Sequence, residues 1–83
     1  MVTIRLYASM REAVGKSLIH LELAPEKLTV LDIFGQISQM YPVLEPFRRS
    51  LLVAVNHEYA QWNSLVNSGD EVAFFPPVSG GIF

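Results

Sequence analysis

One stretch of the 83-residue chain has the spacing of a full amphipathic helix, and it limits the fold more than any other feature. Val30, Ile33, Phe34, Ile37 and Tyr41 recur at helical intervals and form one apolar stripe. Thr29 can cap the first turn, and Asp32, three residues on, stands where a capping-box acid belongs at the positive end of a helix. Pro42 ends the helix, because proline disfavours the α region for the residue before it. Gly35 inside it costs roughly 1 kcal/mol relative to Ala, which predicts a neighbouring element packed close against that position. A single helix with a single apolar face needs a sheet to cover it.

The flanking segments supply strands. Val2-Thr3-Ile4-Arg5-Leu6 alternates, with Val2, Ile4 and Leu6 on one face and Tyr7 at the strand end, outside that set. Ala8 to Val14 reads as a short helical turn stopped by Gly15. Ser17 to Leu23 is a second strand, antiparallel to the first, with Ile19, Leu21 and Leu23 set against His20 and Glu22. Val43 to Arg49 reads as irregular. The unbroken apolar run Leu51-Leu52-Val53-Ala54-Val55 suits a central strand buried on both faces. Asn56-His57-Glu58 is a turn, Tyr59-Ala60 a brief return strand, Asn67-Ser68-Gly69-Asp70 a second turn, and Glu71 to Phe75 the last strand. This order predicts an α+β domain over residues 1–75, a mixed sheet with the main helix packed on one face. That is the ubiquitin-like β-grasp arrangement. Residues 76–83 are expected to form a flexible C-terminal tail.

Composition narrows the function. Hydrophobic residues make up 51% of the chain and charged residues 17%, so part of the apolar excess is expected on the surface as a contact patch. The net charge of −2, without a basic run, argues against nucleic acid. No apolar stretch approaches the ~18–20 residues of a membrane span, and no signal-peptide pattern is present. The absence of Cys excludes disulfides, thiolate metal sites and a cysteine nucleophile. A cytoplasmic protein is the plain expectation.

Catalytic sets are hard to assemble. His20 on a strand and His57 in a turn lack acids at metal-ligand spacing, so no metal site and no catalytic residue of its own is expected. None of the serines has a nucleophile-elbow context. Asp70-Glu71 follows Gly69 in a turn, where turn solvation and strand initiation explain it better than acid–base chemistry. Gly80-Gly81 is no phosphate cradle, since neither a helix nor a Lys follows.

The end of the chain offers other chemistry. After Phe74-Phe75, Pro76 and Pro77 forbid further ladder hydrogen bonds. Val78 and Ser79 extend the chain, and Gly80 and Gly81 can lie in a slot too narrow for side chains. Six residues from Pro76 to Gly81 reach about 20 Å at roughly 3.3 Å each, enough to enter a partner's buried site. A carboxyl terminus on Gly81 would be an unhindered acyl group, but Ile82-Phe83 follow it. Either a protease removes them and the chain is a precursor, or the tail acts only by docking, or the two residues are foreign to the natural chain.

The run Gly69-Asp70-Glu71-Val72-Ala73-Phe74-Phe75-Pro76-Pro77-Val78-Ser79-Gly80-Gly81 closely resembles the end of the MoaD members of the MoaD/ThiS sulfur-carrier family, the small subunits of molybdopterin synthase. Leu6-Tyr7-Ala8, Met10-Arg11-Glu12 with Gly15, and Val53-Ala54-Val55-Asn56 are similar to that family's first strand, first turn and central strand. The thiamine carrier ThiS shares the fold but lacks the Phe-Phe-Pro-Pro signature. The resemblance implies a carrier with no bound cofactor. Gly81 would be adenylated by an E1-like partner of the MoeB/ThiF type using ATP, then thiocarboxylated. The tail would enter a MoaE-like large subunit and give its sulfur to precursor Z. Tyr7, Tyr59, Phe75, Pro76 and Pro77 would form the partner interface, with Val78, Ser79 and Gly80 in the tail. Carriers of other pathways (amino-acid, siderophore or thiamine type) are the alternative, since some carry a short extension trimmed by a JAMM-type protease. A non-covalent β-grasp interaction module is the alternative from another class.

Overall fold

Strict alternation in the first and last strands places the core. β1 (Val2–Leu6) buries Val2, Ile4 and Leu6 and turns Thr3 and Arg5 the other way. The computed structural model describes residues 1–22 and 28–76. After β1 come α1 (Ala8–Val14), β2 (Leu18–Leu21), β3 (Leu28–Thr29) and α2 (Val30–Met40). A 3₁₀ helix (Pro42–Ser50), β4 (Leu52–Val55), β5 (Glu58–Ala60), β6 (Leu65–Val66) and β7 (Glu71–Phe75) complete the order.

The main sheet runs β2-β1-β7-β4-β5. Its centre joins the two ends of the described chain: β1 lies parallel to β7, with Ile4 opposite Val72 and Leu6 opposite Phe74. All other pairings in it are antiparallel, so the sheet is mixed. Helix α2 covers one face through Val30, Ile33, Phe34 and Ile37, which join Ile4, Leu6, Val53, Val72 and Phe74 in one buried cluster. The expected β-grasp arrangement is the observed one.

Local chemistry explains the element ends. The Asp32 amide donates to Thr29 Oγ1, and the Thr29 amide and hydroxyl both donate to the Asp32 carboxylate, completing the capping box. Gly15 takes φ 85° as the left-handed residue closing α1, its amide donating to the Arg11 carbonyl. Asn56 and His57, at φ 52° and 71°, form the two-residue turn between β4 and β5, the geometry that matches hairpin twist. Asp70 lies in the second turn, where its carboxylate accepts from the Asn67 amide and from Asn56 Nδ2. The Asp70-Glu71 pair thus has structural work, because Glu71 also bonds Arg5.

Several expectations are corrected. Val43 to Arg49 is regular, lying within the 3₁₀ helix, where Leu44 is buried and the Arg48 guanidinium lies 5.1 Å from the centre of the Phe34 ring. The short β3–β6 pair has no periodicity to betray it, since each strand has two residues. Leu52 is exposed, so the run ending in β4 is not buried on both faces; Leu51, Val53 and Val55 pack on the helix-covered side. Among the described residues no neighbour packs against Gly35 either, for a Cβ built there would meet nothing within 4 Å. Leu23, expected in the second strand, lies outside the described residues, as do residues 77–83.

Two expected outcomes follow from these helix features. Gly35→Ala should raise unfolding free energy by roughly 1 kcal/mol, because the methyl group meets no obstacle and helix propensity improves; urea denaturation reads this directly. The Thr29 backbone amide, then its hydroxyl, holds the Asp32 carboxyl below its ordinary 3.8. A depressed folded-state value stabilises above the ordinary value and is lost as pH falls through the lower one. Asp32→Asn should therefore flatten the part of the acid-denaturation profile below about pH 4.

Candidate functional site

Alternation also fixes what stands on the side of the sheet that α2 leaves open. In cross-strand register, one row reads Tyr59, Ala54, Ala73, Arg5 and Leu18 across all five strands. The next row pairs Leu52 with Phe75, and the row on the other side sets Glu71 beside Thr3 and His20. The face therefore divides into an apolar half at the Phe75 end and a polar half at the Glu71 end.

The apolar half is built from rings over small residues. Phe75 stands between two tyrosines: Tyr7 meets it edge-on with centroids 6.2 Å apart, and Tyr59 lies tilted at 6.1 Å. Tyr59 sits two strands from Phe75, and the rings meet because Ala54 and Ala73 leave the space between them low. Ala54 is buried although it points outward. The rings themselves stay wet: Tyr59 is 80% exposed, Tyr7 44%, and neighbouring Leu52 39%. Large apolar side chains clustered this way mark a protein-binding surface more than a structural one. Tyr7 is also the N-cap of α1, and Ala8 after it takes φ 53°, a left-handed conformation rarely paid for outside glycine and one that concentrates at functional positions.

The structure brings together three of the interface residues expected from sequence, Tyr7, Tyr59 and Phe75. Pro76, half-buried, follows directly. Pro77, Val78, Ser79, Gly80 and Gly81 lie outside the described residues. Leu52, Ala54 and Ala73 belong to the same surface and were hidden in the sequence. An unbroken apolar run has no polar residues to show which alternate positions face out, although the register against Phe75 would have done so. Among the described residues, no three His, Asp or Glu side chains converge as a metal site, and no helix is long and apolar enough to cross a membrane.

Fold and face together define a class: a β-grasp domain with an aromatic sheet face that leads, through a proline, into a diglycine run. The chain belongs to the ThiS family, whose model matches residues 4–81. It is 35% identical over 80 residues to the molybdopterin synthase sulfur carrier subunit of Dictyostelium discoideum, covering 94% of this chain and 93% of that one. The crystal structure of SAMP1 from Haloferax volcanii is similar at a TM-score of 0.83 and 29% identity, covering 96% of this chain and 98% of that one. A chain of the complex of subunits 1 and 2 of the molybdopterin-converting factor from Helicobacter pylori shares the fold, at a TM-score of 0.64 and 20% identity over 96% of this chain and 97% of that one.

If the aromatic half is reserved for a partner, removing its outermost ring should leave the fold intact. Tyr59→Ala is expected to change unfolding free energy by no more than about 0.5 kcal/mol, as for an ordinary surface substitution. Chemical denaturation measures this, and a loss of several kcal/mol would make Tyr59 a structural residue.

Proposed function

We propose that the chain is the sulfur carrier subunit of a molybdopterin synthase, and that Gly81 bears the sulfur. The observation that carries this reading is the near full-length similarity to a subunit of that name. The family match also ends on Gly81, leaving Ile82-Phe83 beyond it.

The chemistry proceeds in four steps. Hydrolysis of the Gly81–Ile82 peptide bond, by a protease of the JAMM type, frees the Gly81 carboxylate. An E1-like enzyme of the MoeB/ThiF type then joins that carboxylate to the adenylyl group of ATP, releasing pyrophosphate. A sulfur nucleophile displaces AMP and leaves a thiocarboxylate. The loaded tail enters a MoaE-like large subunit, where its sulfur bonds to precursor Z, and water takes the acyl carbon as the C–S bond breaks, returning Gly81 as a carboxylate.

The domain's own contribution is positional. β7 ends at Phe75, and Pro76 has no N–H to continue the ladder, so the chain leaves the sheet beside the aromatic face. A partner seated on Tyr7, Tyr59 and Phe75 thereby receives the tail at a fixed origin. Glycines at the end let that partner enclose the main chain closely.

Mass spectrometry of the protein recovered from its native cells tests this. The expected species lacks Ile82 and Phe83 and carries one sulfur in place of an oxygen. A sole species that keeps both residues, with no activated form, would sink the carrier reading and favour a docking module.

A further inference from the structure

The polar half of the open face holds one ion pair, and its position within any partner footprint gives it a role. Arg5 Nε donates to Glu71 Oε2 across β1 and β7. The pair is partly covered, with side-chain exposures of 43% and 26%. Among the described residues, the Nη groups of Arg5 have no acceptor; the pair is made through Nε alone. Arg5 lies opposite Ala73, one strand over and two residues before Phe75. At about 4.8 Å between strands and 3.3 Å per residue, that is roughly 8 Å from Phe75 along the sheet. A standard interface covers about 800 Å² per partner, a disc of roughly 16 Å radius. A partner centred on Phe75 therefore covers Arg5.

Covering it has a consequence. A guanidinium taken out of water with most of its donors unmatched is strongly unfavourable, and one carboxylate already engaged through Nε does not satisfy it. The fork geometry of Arg suits a second carboxylate in the plane of the Nη groups. We propose that Arg5 is a specificity residue of this face: held through Nε by Glu71, it presents its Nη donors to a carboxylate of the subunit that covers Tyr59 and Phe75. Aromatic contacts supply area, and the Arg5 fork fixes the register in which the partner sits. A partner without an acid at that position meets an uncompensated charge, so the same residue rejects wrong partners.

The inference rests on the proposed carrier role, because it needs a subunit docked on the open face. The test uses the full chain and the large subunit from the same organism, with binding measured by calorimetry and dissociation by surface plasmon resonance. Arg5→Leu should weaken binding roughly 30-fold or more, mainly through faster dissociation, with thermal unfolding little changed. Arg5→Lys, which keeps the charge and loses the fork, should recover only part of that affinity, and it carries the test should Arg5→Leu fail to fold. Phe75→Ala is the control for the face itself. Unchanged affinity in the Arg5 variants while Phe75→Ala loses binding would overturn the role of Arg5 and leave the docking face standing. Loss of binding in neither would overturn the docked complex as well.

Discussion

Everything in this domain depends on the parallel pairing of β1 with β7. It brings residues 3–6 against residues 71–74, so nearly the whole chain is a loop closed by that contact. Closing so long a loop is entropically unfavourable, though the cost grows only slowly with length. The offsetting gain is central: β7 is flanked by β1 and β4, and buries Val72 and Phe74 completely. Phe74 then meets Phe34 of α2 at 5.3 Å and stacks near Trp62 at 6.0 Å. Helix, sheet and the loop after β5 are held through that one ring.

The same strand generates the functional surface. Period-two alternation sends Val72 and Phe74 into the core and Glu71, Ala73 and Phe75 to the open face. No separate element is needed to display the proposed binding site, because the outward half of the central strand forms it. Its small residue, Ala73, matters as much as its large one, since it leaves room for aromatic rings to reach one another across β4. Core packing and partner recognition are thus two sides of five residues.

This duality decides what could be read from the sequence. Strands with clean alternation, such as Val2–Leu6, and a helix with a capping box and a proline stop were legible, because each carries its own period and punctuation. Resemblance to a known tail and face singled out Tyr7, Tyr59 and Phe75, whose rings the structure clusters. Leu52 was not legible, because Leu51–Val55 is apolar at every position and only pairing with β7 shows which residues turn outward. The 3₁₀ helix was missed for the opposite reason: Pro42 reads as a stop and Val43 to Arg49 carries no clear period, yet Leu44 anchors the segment through tertiary burial. Gly35 misled because a glycine in a helix suggests crowding, while among the described residues its surroundings are open.

A chain that is closed by its last strand has a property set by the order of synthesis. Until Glu71–Phe75 has emerged, β1 lacks its inner neighbour, α2 lacks the ring that anchors it, and the aromatic face lacks its central residue. A prematurely ended chain would therefore offer neither a folded core nor a docking surface. On the proposed function, enzymes that act on the glycines beyond Pro76 would thus meet a complete domain by construction, since the folded state itself certifies that translation has passed the strand from which the tail departs.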